Sequence, residues 1–461
     1  MTEQKHYDVL IIGGGQAGIP LAHALAEAGQ RVALAEENHL GGSCVNFGCT
    51  PTKAVLASAR VAHLARRADE FGLKIPRVAV DLPAVLRRAE RILLESRNGL
   101  RKGLEETKNP KLLDGHARFA GRAGRHFRVR IGTSEVTAAQ VVIDTGTRSL
   151  IPPIEGLEGV DFICAENWLA QTELPTRLAI IGGGYIGLEM CQFYRRMGSR
   201  VVVIEESAQV AGHEDEDIAR ALQQLLEAEG IEFRLRAKVT RVKERKDGVA
   251  LALEAGDDGP TEIRASHLFV ATGRQPNTDD LGLETIGVKV SERGIIEADK
   301  RLATNIAGVW AAGDVRGGPM FTHTAWDDYR VLLSQFAGDG SRTTERVVPY
   351  AIFTDPQLGR VGPTEREARE KGRRIKVARF EMKKNGRARE SGETAGFIKV
   401  IVDAETKRLL GAAVLAAEGA EMVHLYVDLM NADAPYTVIR DAVHIHPTLA
   451  EAVQSVFEQL D

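Results

Sequence analysis

The stretch Val9-Leu10-Ile11-Ile12-Gly13-Gly14-Gly15-Gln16-Ala17-Gly18 decides the fold. Four apolar residues run into G-x-G-x-x-G, and a helix-like run follows to Ala28. A second apolar run, Val32 to Ala35, then ends in the acid Glu36. The same order recurs later. Leu178-Ala179-Ile180-Ile181 leads into Gly182, Gly184 and Gly187, a helical run reaches Met197, and Val201 to Ile204 ends in Glu205. One G-x-G-x-x-G is weak evidence. Strand, glycines, helix, second strand and acid in that order, twice, specify two dinucleotide sites.

Each residue type has a physical task. Gly13 permits the tight turn, Gly15 lets a pyrophosphate approach the backbone, and Gly18 lets the helix pack close to its strand. Gly182, Gly184 and Gly187 repeat that set, and Tyr185 and Ile186 stand at the second cofactor's position. The helix N-terminus offers free N–H donors to phosphate. Glu36 and Glu205 are expected to accept hydrogen bonds from an adenosine ribose. An acid there repels a 2′-phosphate. No Lys or Arg lies between Val201 and His213 to offset it, so the second site is expected to favour NAD(H), with NADP(H) disfavoured.

The chain has 461 residues, enough for about three domains. Its 60 basic and 64 acidic residues leave a net charge of -4, and aromatics are only 5%. Neither value argues for a nucleic-acid partner. No apolar run reaches ~18 residues, so no membrane span is expected. One cation, Lys5, precedes the first apolar run, which breaks at glycines and lacks a signal-peptide pattern. Four Cys make no disulfide scaffold, and the cytoplasm is the expected compartment.

Three further apolar strands end in turn residues. They are Val141-Val142-Ile143 before Asp144-Thr145-Gly146, Leu268-Phe269-Val270 before Ala271-Thr272-Gly273, and Gly308 to Ala312 before Gly313-Asp314. All three are expected to return to the first nucleotide's sheet. The expected fold is therefore α/β. Two Rossmann-like dinucleotide-binding domains, the second inserted in the first, precede a C-terminal α+β dimerisation domain. The boundaries read as 1–148 and 269–340 for the first domain, 149–268 for the insertion and 341–461 for the last. In the last unit, Phe397 to Val402 reads as an alternating strand, with helices around 363–371, 418–432 and 448–459.

Gly41-Gly42-Ser43-Cys44-Val45-Asn46-Phe47-Gly48-Cys49-Thr50-Pro51-Thr52-Lys53 is the most informative segment. Cys164 and Cys191 are isolated and read as packed thiols, so no zinc-like Cys set exists and no metal site is expected. Five helical residues climb ~7.5 Å, whereas a disulfide needs Cα atoms within about 4.4–6.8 Å. A Cys44–Cys49 bond therefore requires a distorted helix start, which Gly48 and Pro51 permit. A bond held in that way is more often catalytic than structural. A helix N-terminus there also favours the thiolate.

This segment resembles the redox motif of the FAD-dependent pyridine nucleotide-disulfide oxidoreductases, which include dihydrolipoyl dehydrogenase, glutathione reductase and mercuric reductase. The likeness spans essentially the whole chain. It takes in both glycine fingerprints, Ala271-Thr272-Gly273-Arg274, Gly313-Asp314 and His446-Pro447-Thr448-Leu449-Ala450-Glu451. The resemblance implies FAD at the first site and NAD(P)H at the second. It implies cofactor contacts from Gly42, Ser43, Lys53, Thr145, Gly146, Asp314, Gly273 and Arg274. Cys49 is then the flavin-proximal sulfur, Cys44 exchanges with substrate, and Lys53 pairs with Glu189. Tyr185 lies over the flavin until nicotinamide displaces it. His446 and Glu451 match a catalytic base dyad supplied across a homodimer, with His444 an auxiliary.

The resemblance points first to a dihydrolipoyl dehydrogenase-like enzyme, with a small dithiol or disulfide such as a lipoyl group as substrate. A soft-metal-ion reductase, mercuric or copper reductase-like, is the alternative. Mercuric reductases end in a vicinal Cys pair, and no Cys follows Cys191 here. The segment Phe321-Thr322-His323-Thr324-Ala325-Trp326-Asp327-Asp328-Tyr329-Arg330 departs from the lipoamide pattern. It looks more like that of oxidant-response and mercuric-reductase-like relatives. The acidic run from His213 to Asp217 reads as a solvated helix start.

Overall fold

The computed structural model describes residues 5–255 and 261–460. The first fingerprint strand, Lys5–Ile12, lies inside a mixed sheet, parallel to both of its neighbours. Pro110–Asp114 and Val32–Glu36 lie on one side of it, and Ser134–Ile143 on the other. Residues of alternating parity reach opposite faces, as a strand dictates. Val9, Ile11 and Leu34 pack under helix Gly18–Glu27 through Leu21 and Leu25. Leu10, Ile12 and Ala33 face a separate core with Phe119, Phe127 and Leu281. The expected return of Gly308 to Ala312 occurs: Val309–Ala311 pairs in parallel with Ser134–Ile143.

The strand Leu268-Phe269-Val270 corrects the sequence expectation. It does not return to the first sheet. It completes the second, pairing with Arg177–Ile181, beside Arg200–Ile204 and Glu232–Arg234. The physical reason is the duplication itself. Asp144-Thr145-Gly146 and Ala271-Thr272-Gly273 each close the glycine turn of their own Rossmann sheet. The Asp144 amide donates to the Ile12 carbonyl, and the Ala271 amide to that of Ile181, both at 2.8 Å. The chain crosses back only afterwards, where Arg274–Pro276 pairs antiparallel with Thr147–Ser149.

The last unit is a five-stranded antiparallel sheet ordered Pro349–Ile352, Gln357–Val361, Leu409–Ala416, Phe397–Asp403, Ile375–Glu381. Phe397 to Val402 are all buried, so the expected polar alternation is absent. The strand is central and covered on both faces. Helices Glu365–Glu370 and His424–Asn431 lie where helices were expected, and Ala452–Ser455 is much shorter than the expected third one. Among the described residues no helix is long and apolar enough to cross a membrane.

A Cβ added at Gly187 would sit 2.0 Å from the Gly182 carbonyl oxygen. Gly187→Ala is expected to destabilise by at least about 1–3 kcal/mol, the usual cost of overpacking. Urea denaturation checks this; a loss under about 0.5 kcal/mol would mean the helix retreats without penalty.

Candidate active site

The two glycine turns are built alike. Gly13 and Gly182 adopt φ of +107° and +109°, and a Cβ at either would strike a carbonyl oxygen, of Asp144 or Ala271. Glu36 accepts from the Gly14 and Asn38 amides, both at 2.8 Å. Glu205 accepts from the Gly183 amide at 2.7 Å and the Ser207 amide at 2.8 Å. These bonds fix both acids and leave carboxylate lone pairs for ribose hydroxyls. Sequence reading assigned no role to the middle glycines, Gly14 and Gly183, although both fingerprints begin with three glycines. Buried Asp144 was also missed. Its Oδ2 accepts from the Gly18 amide at 2.7 Å, tying the first helix to the strand, and burial pushes its carboxyl well above the usual range.

A cleft of about 1740 Å³ runs from Gly13, Gly15 and Glu36 past Ser43 and Asp314 to Tyr185. At its first end the glycine cradle, the fixed acid and the helix N-terminus fit an FAD pyrophosphate and ribose. At the other end Gly184 is exposed, and a Cβ on it would meet nothing within 4 Å. That opening fits a second dinucleotide. Asp314 accepts from the Thr147 hydroxyl at 3.1 Å, and burial raises its pKa. Arg274 also lines the cleft, but its guanidinium is taken up by Thr147 and Glu166, so it braces the crossover between the two sheets.

The redox segment is split as the spacing argument required. Gly42–Asn46 is one short helix and Cys49–Arg66 another. Between them Phe47 and Gly48 leave helical geometry, and both amides donate to the Ser43 carbonyl, at 3.1 and 2.7 Å. A Cβ at Gly48 would lie 2.9 Å from that oxygen. Pro51 sits in the first turn of the longer helix, where no N–H partner is needed. Cys44 and Cys49 are free thiols here, the reduced form of the expected redox pair, and a hydrogen bond from Cys44 acts on the Cys49 thiol.

That bond divides the pair electrostatically. The Cys49 thiol is brought down to about 6, first by the Cys44 hydrogen bond and then by the Lys53 charge and the Thr322 hydroxyl, against the effect of burial. Cys44 is pushed up, by the bond it makes to Cys49 and then by burial. Thr322 Oγ1 lies 3.2 Å from Cys49 Sγ. Thr322 begins helix Thr322–Ala337, 273 residues away in sequence, within the segment that departs from the lipoamide pattern. Lys53 Nζ meets Glu189 Oε2 at 2.8 Å, and the other Glu189 oxygen accepts from the Phe353 amide at 3.0 Å. Glu189 is buried, not the surface acid that its place near a helix start would suggest.

Tyr185 stacks on Tyr350 and Phe321 inside the cleft. The acidic run from His213 to Asp217 is not a solvated helix start. Glu214 is fully buried against Tyr350, and Asp215 accepts from the Glu365 and Arg366 amides. The run serves as a join between the inserted unit and the C-terminal sheet. His446 Nδ1 and Glu451 Oε2 lie 3.0 Å apart, with the His side chain 76% exposed. Neither residue lines the cleft of its own chain. His444 meets Gln454 at 3.1 Å. Among the described residues no His, Cys, Asp and Glu cluster could hold a metal ion.

Residues 7–328 match the family described as pyridine nucleotide-disulphide oxidoreductase, and residues 348–457 match its dimerisation domain. The chain belongs to this family. It is a flavoprotein disulfide reductase with a mixed α/β fold. It is 35% identical over 456 residues to the probable pyridine nucleotide-disulfide oxidoreductase RclA of Escherichia coli, covering 98% of both chains. It is 33% identical over 469 residues to the dihydrolipoyl dehydrogenase of Cupriavidus necator, covering 99% of this chain and 98% of that one. The solved Cu(II) complex of HOCl-induced RclA superposes with a TM-score of 0.89 at 34% identity, over 98% of this chain and 100% of that one.

A lowered Cys49 pKa means that its thiolate is present above about pH 6 in the reduced protein. Ultraviolet thiolate absorbance against pH checks this. Cys44→Ala and Thr322→Val each remove a hydrogen bond to the sulfur and are expected to move the midpoint upward, Cys44→Ala by more. A midpoint left in place in both variants would reject the arrangement.

Proposed function

We propose that this enzyme draws two electrons from NADH and passes them through Cys44 and Cys49 to a small oxidant, a soft metal ion such as Cu(II) or a small disulfide. The observation that carries the reading is Thr322 against Cys49. It belongs to the segment that departs from the lipoamide pattern, and it touches the reacting sulfur. Likeness to RclA, whose Cu(II) complex is solved, supports the same reading. Overall identity does not separate the candidates, since dihydrolipoyl dehydrogenases match at 32–35%.

Bound FAD supplies the two-electron relay between nicotinamide and sulfur. The chain's part begins with binding. Gly13, Gly15, Gly18, Glu36, Gly42, Ser43, Thr145, Gly146 and Asp314 hold the flavin nucleotide. Gly182, Gly184, Tyr185, Ile186, Glu205 and Gly273 hold NADH in preference to NADPH. Lys53, oriented by Glu189, places a positive charge beside Cys49. Reduction breaks the S–S bond with two electrons and one proton and leaves a Cys49 thiolate and a Cys44 thiol. The pair then gives one electron to each of two metal ions and releases its one proton, or gives two electrons and its one proton to one disulfide, which takes the second proton from water, and the S–S bond re-forms. His446, oriented by Glu451 and supplied by a second copy of the chain in a homodimer, moves the Cys44 proton. The expected compartment is the cytoplasm.

A second reading, dihydrolipoyl dehydrogenation, is favoured by the His446–Glu451 pair, since a dithiol substrate needs a base.

Steady-state turnover of Cu(II), Hg(II) and small disulfides with NADH, and of dihydrolipoamide with NAD⁺, tests the choice. The outward reaction is expected to exceed the lipoamide reaction, with NADPH a poor donor; the opposite order would select the second reading, and equal NADPH rates would reject the role of Glu205. His446→Ala is expected to cut disulfide turnover ~10²–10⁴-fold while flavin reduction by NADH persists. Near-normal disulfide turnover would remove it as the base.

A further inference from the structure

Arg360 lies on strand Gln357–Val361, directly paired with Tyr350 of strand Pro349–Ile352. Directly paired residues project from the same face of a sheet. The Tyr350 ring stands in the cleft, stacked on Tyr185 at 5.5 Å, so the Arg360 side chain rises toward the same cleft, which Arg360 also lines. That side chain is 1% exposed, and its Nε, Nη1 and Nη2 have no hydrogen-bond partner among the described residues. Its counter-charge is buried Glu214, whose Oε2 lies 3.8 Å from Nε. At that distance the two form an ion pair without a hydrogen bond. The other Glu214 oxygen accepts from the Tyr350 hydroxyl.

The pairing settles the charge of Arg360 and leaves its donors without a protein acceptor. A guanidinium carries five N–H groups, and buried donors left unmatched are costly. Arg196 and Arg346, also withdrawn from solvent, are not left so. Arg196 donates to Glu229 and Asp355, and Arg346 to Asp327, Asp328 and the Thr324 carbonyl. The position of Arg360 points to what supplies an acceptor. Tyr185 directly follows Gly184 of the second glycine turn. Phe353, three residues beyond Tyr350, donates its amide to Glu189 and has its ring centroid 4.6 Å from Lys53 Nζ. Three extended residues span about 10 Å. Arg360 therefore faces the interval between the turn that takes a pyrophosphate and the lysine beside the redox sulfur. In bound NADH that interval holds the nicotinamide half, whose ribose hydroxyls and carboxamide carbonyl accept hydrogen bonds. The adenine half lies the other way, at Glu205.

We propose that Arg360 is a cofactor-binding residue whose guanidinium donates to an oxygen of the nicotinamide half once Tyr185 has yielded its place. Glu214 approaches from the Nε side, which leaves the Nη1 and Nη2 edge for the cofactor. Its carboxylate also keeps the buried guanidinium compensated before the cofactor arrives. A hydrogen bond from a charged donor is stronger than a neutral one, so a single contact here holds the nicotinamide end firmly. The inference rests on the reading of the second glycine turn as the NADH site.

Calorimetric titration of the holoenzyme with NAD⁺, ADP-ribose and AMP tests it. ADP-ribose lacks the nicotinamide, and AMP lacks the whole nicotinamide half. Removing Arg360 alone would strand the buried Glu214 charge. The informative variant is therefore the double one, Arg360→Met with Glu214→Gln, in which the amide oxygen still accepts from Tyr350. NAD⁺ binding is expected to weaken about ten- to hundredfold, the worth of a hydrogen bond to a charged group, while AMP binding stays within about twofold. A loss confined to NAD⁺ assigns the acceptor to the carboxamide, and an equal loss with ADP-ribose assigns it to the ribose. Arg360→Lys keeps the charge opposite Glu214 but offers three donors in place of five, and its NAD⁺ affinity is expected to fall between parent and double variant. Unchanged or tighter NAD⁺ binding in the double variant overturns the proposal. So does a weakening shared equally by AMP, which a merely structural role would produce. A parent holoenzyme that binds neither AMP nor ADP-ribose defeats instead the reading of the second glycine turn.

Discussion

The contact that the rest of the site depends on is the docking of the redox turn onto the first glycine loop. The Gly41 amide donates to the Gly14 carbonyl at 2.7 Å, and the Gln16 side chain donates to the Gly41 carbonyl at 3.0 Å. A Cβ at Gly42 would lie only 3.2 Å from the Gly15 Cα. Two glycine-rich backbones approach as closely as backbones can, because neither carries a side chain at the meeting point. The geometry that cradles a pyrophosphate thus also fixes where Cys44 and Cys49 begin. Asn46 and Phe47 are fastened from outside by Arg97 and by the buried indole of Trp168, at 2.9 and 2.8 Å.

Within that frame the sulfur pair is asymmetric for electrostatic reasons. Cys49 has a thiol donor, a hydroxyl donor and an ammonium acting on it, while Cys44 has burial and the neighbouring thiolate against it. Hydrogen bonds to a charged sulfur are worth more than neutral ones, so the negative charge stays on one atom. Glu189 keeps Lys53 in place and offsets part of its pull on Cys49. The balance is set by three segments far apart in the chain.

The inserted unit is fastened to the C-terminal sheet by buried ion pairs. Arg196 meets both Glu229 and Asp355, and Lys399 meets Asp215, Asp217 and Glu365. Such clusters resist disassembly because losing one partner leaves a buried charge uncompensated.

Much was legible in the amino-acid sequence alone: both dinucleotide turns, the acids that follow them, the insertion, and a cysteine pair whose spacing demanded a broken helix. Those features are local. A tight turn needs glycine, a ribose needs an acid at a set distance, and a strained spacing needs Gly48 and Pro51, so residue type and order carry the message. Tertiary structure alone decided that Leu268-Phe269-Val270 closes the second sheet, because its motif is the same as that of the first. It alone brought Thr322 to Cys49 and set Tyr350, Glu214 and Arg360 behind Tyr185. Those side chains have ordinary sequence surroundings; what changes their chemistry is a partner more than a hundred residues away, and that closeness is a property of the packed chain.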